Sequence, residues 1–173
     1  MRFIASSRYN TKSLAMLNKA LRKAWHNKLL AVLHGILWLF VASALLLFVL
    51  SLLFGLADSA AVWRNGVTAL LLLLFLTMED RIFGFLAKRA LLPGTETAVT
   101  EFLTDEYITT TGAGKTQWKY SAVQCIAETS DAFFFILGKR SGQVYEKSSL
   151  QGGTVEEFRH FLEETTGKTI RTI

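Results

Sequence analysis

The first third of the chain changes its pattern of apolar and polar positions three times. "RFIASSRYN" reads as a short strand. In "TKSLAMLNKALRKAWHN", Leu14, Leu17, Leu21 and Trp25 recur at three- or four-residue spacing, which predicts a helix with one apolar face and a basic remainder. The periodicity then vanishes. Leu29 to Gly55, "LLAVLHGILWLFVASALLLFVLSLLFG", contains no Lys, Arg, Asp or Glu, and a second apolar stretch, Ala60 to Met78, has "GVTALLLLLFLTM" at its heart. A bilayer core of ~30 Å needs about 20 helical residues, so both stretches are long enough to cross one. The predicted spans are 29–55 and 60–78. Arg64 lies near the start of the second, where a long side chain reaches the headgroups. The first stretch begins too late and runs too long for a cleaved signal peptide. A connection as short as "LADSA" forces an antiparallel hairpin and puts both chain ends on one side.

Pro93-Gly94 marks a boundary, after which Thr, aromatic and β-branched residues dominate. Six strands are predicted: "TAVTEFL" (97–103), "EYITTT" (106–111), "KTQWKY" (115–120), "QCIAE" (124–128), "AFFFILG" (132–138) and "QVYEK" (143–147). Turn residues separate them, which gives a meander of antiparallel hairpins. A helix follows, opened by the capping box of Thr154 and Glu157 and stopped near Gly167. Its apolar stripe, Val155, Phe158, Phe161 and Leu162, needs the sheet for cover. The predicted fold class is therefore α+β: a two-helix membrane hairpin plus an antiparallel β-sheet or barrel closed by a C-terminal amphipathic helix. Residues 2–9 are expected to add a strand to that sheet, with Phe3 or Ile4 pointing inward. In "FFF", Phe133 and Phe135 share one face and Phe134 takes the other.

"GAGKT" at 112–116 ends like a phosphate-binding loop. Such a loop needs G-x-x-x-x-G-K-[ST] between a strand and a helix. Thr109 stands where the first glycine belongs, and "QWKYS" continues as a strand. The segment is expected to be a hairpin tip, with Gly112 and Gly114 supplying positive φ angles.

Charge fixes the orientation. The net charge of +5 is divided unevenly, with 11 basic and 3 acidic residues in 1–92 against 8 basic and 11 acidic in 93–173. Ten Lys and Arg flank the hairpin, while its loop region offers only Asp58 and Arg64. Both termini are expected in the cytoplasm. Lys19, Arg22, Lys23, Lys28, Lys88 and Arg89 are the candidate membrane-surface contacts. The acidic C-terminal part, lacking a basic stripe, argues against nucleic acid as a partner. The lone Cys125 sits in an expected strand without a nearby base and is read as a sheet residue. His26, His34 and His160 have no Cys or His at ligand spacing, so neither metal nor cofactor is expected. His34 is read as hydrogen-bonding across to the second helix, and Glu79-Asp80-Arg81 as an interfacial charge cluster.

One family pattern runs through these residues. Thr104, Asp105 and Ile108 are followed by Trp118 and Ser121, by Ile126, Glu128 and Thr129, by the aromatic strand Phe133–Leu137, and by Glu156, Glu157 and Phe158. Preceded by a membrane hairpin, this resembles the YcxB-like family of bacterial membrane proteins, well over 99–165 and loosely over 1–30. "GQVYEKSSL" departs from it, since the family tends to carry a more aliphatic strand there. The resemblance implies a C-terminal domain related to pleckstrin-homology (PH) folds, and brings no catalytic residues or cofactor. Three regions follow: a basic strand and helix at 1–28, a transmembrane hairpin at 29–92, and a cytoplasmic PH-like domain at 95–173. The expected role is an interaction module at the bacterial inner membrane, not an enzyme, with membrane lipids and a protein or peptide as partners. The alternative is a homo-oligomer of hairpins forming a pore or a transporter accessory subunit. His34, Ser43, Ser51 and Thr68 offer few polar groups to line a pore.

Overall fold

The computed structural model describes residues 2–24, 28–55 and 59–173. Their order is β1 (Phe3–Arg8), α1 (Thr11–Ala24), α2 (Lys28–Phe54), α3 (Ser59–Arg89), β2 (Thr97–Phe102), β3 (Glu106–Thr111), β4 (Gly114–Lys119), β5 (Cys125–Glu128), β6 (Ala132–Gly138), β7 (Ser141–Glu146), α4 (Val155–Thr166) and β8 (Ile170–Thr172). They form two compact units. One is Met1–Trp25 with Asp80–Ile173, and the other is His26–Glu79. The expected α+β class holds.

The first unit contains two four-stranded sheets, β1-β2-β3-β4 and β7-β6-β5-β8. The N-terminal strand pairs antiparallel with β2, from Phe3 opposite Phe102 to Arg8 opposite Thr97. Phe3, Ala5 and Ser7 face inward and are buried. Inward residues of both sheets meet α4 in an aromatic core that includes Phe3, Phe102, Tyr107, Phe135, Tyr145 and Phe158. Ring centroids lie 4.9 Å apart for Phe102–Phe158 and 5.0 Å for Phe102–Tyr145, both edge-to-face, the geometry that the ring quadrupole favours. The other face of the second sheet is buried too. Phe134, Ile136 and Val144 pack there with Leu14, Leu17 and Ala20 of α1. All three residues of "FFF" are thus buried, and Phe134, the one of the three on this face, meets the basic N-terminal helix.

Closure into a barrel is not observed. The β1 and β7 edges approach each other, but among the described residues only one isolated bridge forms on the β1 side, between Ile4 and Gln151. Serine hydroxyls take the remaining places. Ser149 Oγ accepts from Ser6 N at 2.9 Å and donates to Ser6 O at 2.8 Å, and Ser7 Oγ donates to Val144 O. β8, absent from the sequence reading, adds to β5 in parallel. Gly112 also corrects an expectation. Among the glycines of the tip, Gly114 alone has positive φ, at 147°. Gly112 instead allows a close approach: its N–H donates to Gly94 O at 2.7 Å, and a Cβ there would lie 2.9 Å from that oxygen.

α4 follows its sequence signals. Thr154 and Glu157 cap each other's backbone reciprocally, and Gly167 ends the helix in the left-handed conformation. Phe158 and Leu162 are fully buried.

In the second unit α2 and α3 pack antiparallel. Phe48 lies against Trp63 with centroids 6.2 Å apart, and His34 Nε2 is 3.5 Å from Glu79 Oε2. Val62, Ala69 and Leu76, seven residues apart, are buried along α3, as is Val41 on α2. Most large apolar side chains of both helices are nevertheless exposed, among them Leu39, Leu53, Trp63 and Leu71. Among the described residues one helix, Ala31–Phe54, is long and apolar enough to cross a membrane.

Candidate functional site

The basic N-terminal helix carries the most distinctive surface of the first unit. Its apolar face is consumed by the second sheet, which turns Lys12 and Lys19 outward. The end of α3 crosses α1 closely at Gly84. A Cβ at that position would lie 2.4 Å from Thr11 O and 2.8 Å from Ala15 N, so only glycine lets the backbones come this near. Beside the crossing runs a groove of about 480 Å³, lined by Thr11, Lys12, Ala15, Met16, Lys19, Asp80 and Arg81. Its carboxylate is already engaged. Asn18 Nδ2 donates to Asp80 Oδ1 and Arg22 Nη2 to Asp80 Oδ2, each at 3.1 Å. Lys12, Lys19 and Arg81 make no ion pair or side-chain hydrogen bond among the described residues.

The six basic residues singled out from sequence fare differently. Lys19 lines the groove, and Arg22 holds Asp80. Lys23 is exposed in the last turn of α1. Lys88 and Arg89 are exposed in the last turn of α3, where the Arg89 guanidinium sits 5.5 Å from the centre of the Phe85 ring. Lys28 opens α2, and its side chain lies outside the described residues. Lys12 and Arg81, which also line the groove, are not among those six. The spacing Lys12–Ala15/Met16–Lys19 marks one helical face and could have identified Lys12. Arg81 is read from the sequence only as part of the Glu79-Asp80-Arg81 interfacial cluster; its meeting with α1 has no local signal, because the α1–α3 crossing brings together positions far apart in sequence.

A second groove, of about 470 Å³, follows α4 and is lined by Thr104, Glu157, His160, Phe161, Glu164 and Thr165. Glu157 is held by the capping box. A third polar cluster is structural. Buried Glu128 accepts from Arg159 at 2.6 and 3.0 Å, and Lys147 Nζ lies 2.6 Å from its Oε1. Burial alone would raise the Glu128 carboxyl; hydrogen bonds from Arg159 and Lys147 outweigh it and hold the group below its ordinary value. The cluster ties β5, the end of β7 and α4 together. Elsewhere in the core, burial pushes the Tyr107 and Tyr120 phenols up.

The segment that resembles a phosphate loop is a hairpin. Gly112 and Ala113 join β3 to β4, and Lys115 and Thr116 are exposed strand residues. No helix N-terminus follows them to gather N–H groups around a phosphate. Cys125 is half-buried at the start of β5. Among the described residues no His, Cys, Asp and Glu cluster reaches three members.

Residues 102–162 match the family model described as YcxB-like protein. This segment is YcxB-like. It runs from the last residue of β2 to Leu162 of α4, which accounts for the stronger part of the resemblance. The groove on α1 lies outside the YcxB-like segment. No curated protein and no solved structure matches the chain.

Proposed function

We propose that the chain is an interaction module anchored in the bacterial inner membrane. α2 and α3 cross the bilayer as a hairpin, both termini are cytoplasmic, and the two-sheet unit is a PH-like module that binds a protein, peptide or lipid at that face. One observation carries the reading: β1 pairs with β2 although the whole His26–Glu79 unit lies between them in the chain. An apolar insert whose ends return to one folded unit must enter and leave the bilayer on the same side. Two helices satisfy that, and a lone span does not.

The surfaces of the helices support it. Their exposed side chains are Leu, Val, Phe and Trp, which suit lipid and not water. The hydroxyls of Ser43, Ser51 and Thr68 donate to carbonyls of their own helix, as buried polar groups in hydrocarbon must. The same bonds leave those side chains little capacity to line a pore, so the oligomeric channel is the weaker alternative. The ten flanking Lys and Arg set the cytoplasmic orientation. A binding role, and not a catalytic one, suits a first unit whose buried carboxylate is fully engaged by Arg159 and Lys147.

Reporter fusions at each terminus test the anchoring. Cytoplasmic reporters should be active and periplasmic ones silent at both ends. Cleavage of either terminus by protease added to intact spheroplasts would overturn the topology.

A further inference from the structure

We propose that the groove between α1 and the end of α3 is a binding site for the headgroup of one anionic phospholipid. Three observations converge there. Lys12, Lys19 and Arg81 border one concavity, and each lacks an ion-pair partner among the described residues. The carboxylate in that concavity, Asp80, is offset by Arg22 and hydrogen-bonded by Asn18, so it does not cancel them. Between the cations lie Ala15 and Met16, apolar groups suited to the glycerol and upper acyl carbons. A phosphate diester meets both requirements: an anion for the cations and an apolar stem for the floor.

Chain continuity selects a lipid over a soluble phosphate. Arg81 stands three residues after Met78, the end of the apolar stretch of α3, in the same unbroken helix. A cation one turn beyond a membrane-spanning stretch sits at headgroup depth. The groove is also held open by packing. Gly84 sets the α1–α3 approach, and Leu14, Leu17 and Ala20 fix α1 on the second sheet. An occupied groove would therefore couple lipid composition to the sheet unit through α1. The site rests on the membrane anchoring proposed above.

The test uses the full-length protein. It is first mixed with vesicles of phosphatidylcholine alone and floated. Failure to float would overturn the anchoring and this site together. The protein in neutral detergent is then titrated with phosphatidylglycerol or phosphatidylcholine of the same acyl chains, and retained lipids are counted by native mass spectrometry. Wild type should retain one phosphatidylglycerol at concentrations where phosphatidylcholine is lost. Each cation near an anionic headgroup is worth about fivefold in affinity, so K12Q/K19Q/R81Q should bind roughly a hundredfold more weakly. K12R/K19R/R81K should bind like wild type, and K88Q/R89Q should keep the site. Flotation with equal retention of both lipids would overturn the headgroup site while leaving the anchoring intact. So would a charge-stripped variant that binds like wild type. Full displacement of phosphatidylglycerol by equimolar inorganic phosphate would replace the lipid with a soluble anion, and displacement by an equimolar polyglutamate peptide would replace it with an acidic partner.

Discussion

α1 and α2 are consecutive helices of one chain, yet they meet their surroundings in opposite ways. α1 buries Ser13, Leu14, Leu17 and Ala20 on one face and turns lysines outward on the other. α2 is apolar on every side and, among its described side chains, buries little besides Val41. A one-faced helix specifies its partner: the stripe must be covered, and the second sheet covers it. A uniformly apolar helix specifies its solvent instead. α4 belongs with α1, since its capping box and Gly167 fix its two ends and its buried Phe158 and Leu162 fix its docked face. Helices of the first kind are held by fixed neighbours, so changing one residue should be felt across the unit. Those of the second kind should tolerate change as long as they remain apolar.

Phe158→Ala is the strongest probe of that difference. The side chain is fully buried and its ring meets Phe3, Phe102 and Phe133. Truncating a buried Phe costs about 3–5 kcal/mol, a large part of a domain's ~5–15 kcal/mol. In detergent, circular dichroism should show the sheet signal melting at markedly lower temperature while the helical signal of α2 and α3 persists. Loss of both signals together would show that the two units unfold as one.

Glu128→Gln tests whether the ion cluster holds α4 to the sheets. The substitution leaves Lys147 and Arg159 without their shared anion, and breaking such a buried bond costs about 1–3 kcal/mol. The sign of the pH effect follows from the lowered carboxyl. Its stabilisation is complete above the ordinary value of 4.5 and is lost as pH falls through the lower folded value. Chemical denaturation at a series of pH values should therefore show wild type losing its advantage over the variant below that value. A constant gap down to strongly acidic pH would mean that Glu128 is not held this way.

Two glycines sharpen the comparison further. At Gly84 an added methyl meets the backbone of Thr11 and Ala15, which cannot move without parting the helices. At Gly66 it meets the ring of Phe48, at 2.6 Å, and a ring at the end of a side chain can turn aside. Overpacking a rigid site costs about 1–3 kcal/mol. Gly84→Ala should therefore lower the sheet unit's melting temperature more than Gly66→Ala changes that of the helix pair. The reverse order would mean that the α1–α3 crossing is soft. Lys115→Ala should have the smallest effect, within about 0.5 kcal/mol for an exposed strand residue. Millimolar ATP should raise the melting temperature of neither wild type nor the variant.

Local signals in the sequence determined a good deal. The strands of 97–147 were legible because turn residues punctuate them. The limits of α4 were legible because Thr154, Glu157 and Gly167 act within a few residues of themselves. The first apolar stretch was legible by length alone. The site was legible only in part. Lys19 was found from charge and Lys12 could have been found from helical spacing, whereas Arg81 was legible only as an interfacial charge, with no sign of its place beside α1. Tertiary structure alone decided that Phe134 packs on α1, that Gly112 serves an approach to Gly94, and that Asp80 belongs to Arg22 and Asn18. It also decided that β8 lies parallel to β5 and that the sheets stay two, with serines where a ladder would have closed them. The physical reason is common to all of these. Periodicity and turn chemistry report interactions between near neighbours, which the order of residues preserves. A groove, a helix crossing or a sheet edge joins residues far apart in the chain, and no short stretch records which distant face will arrive.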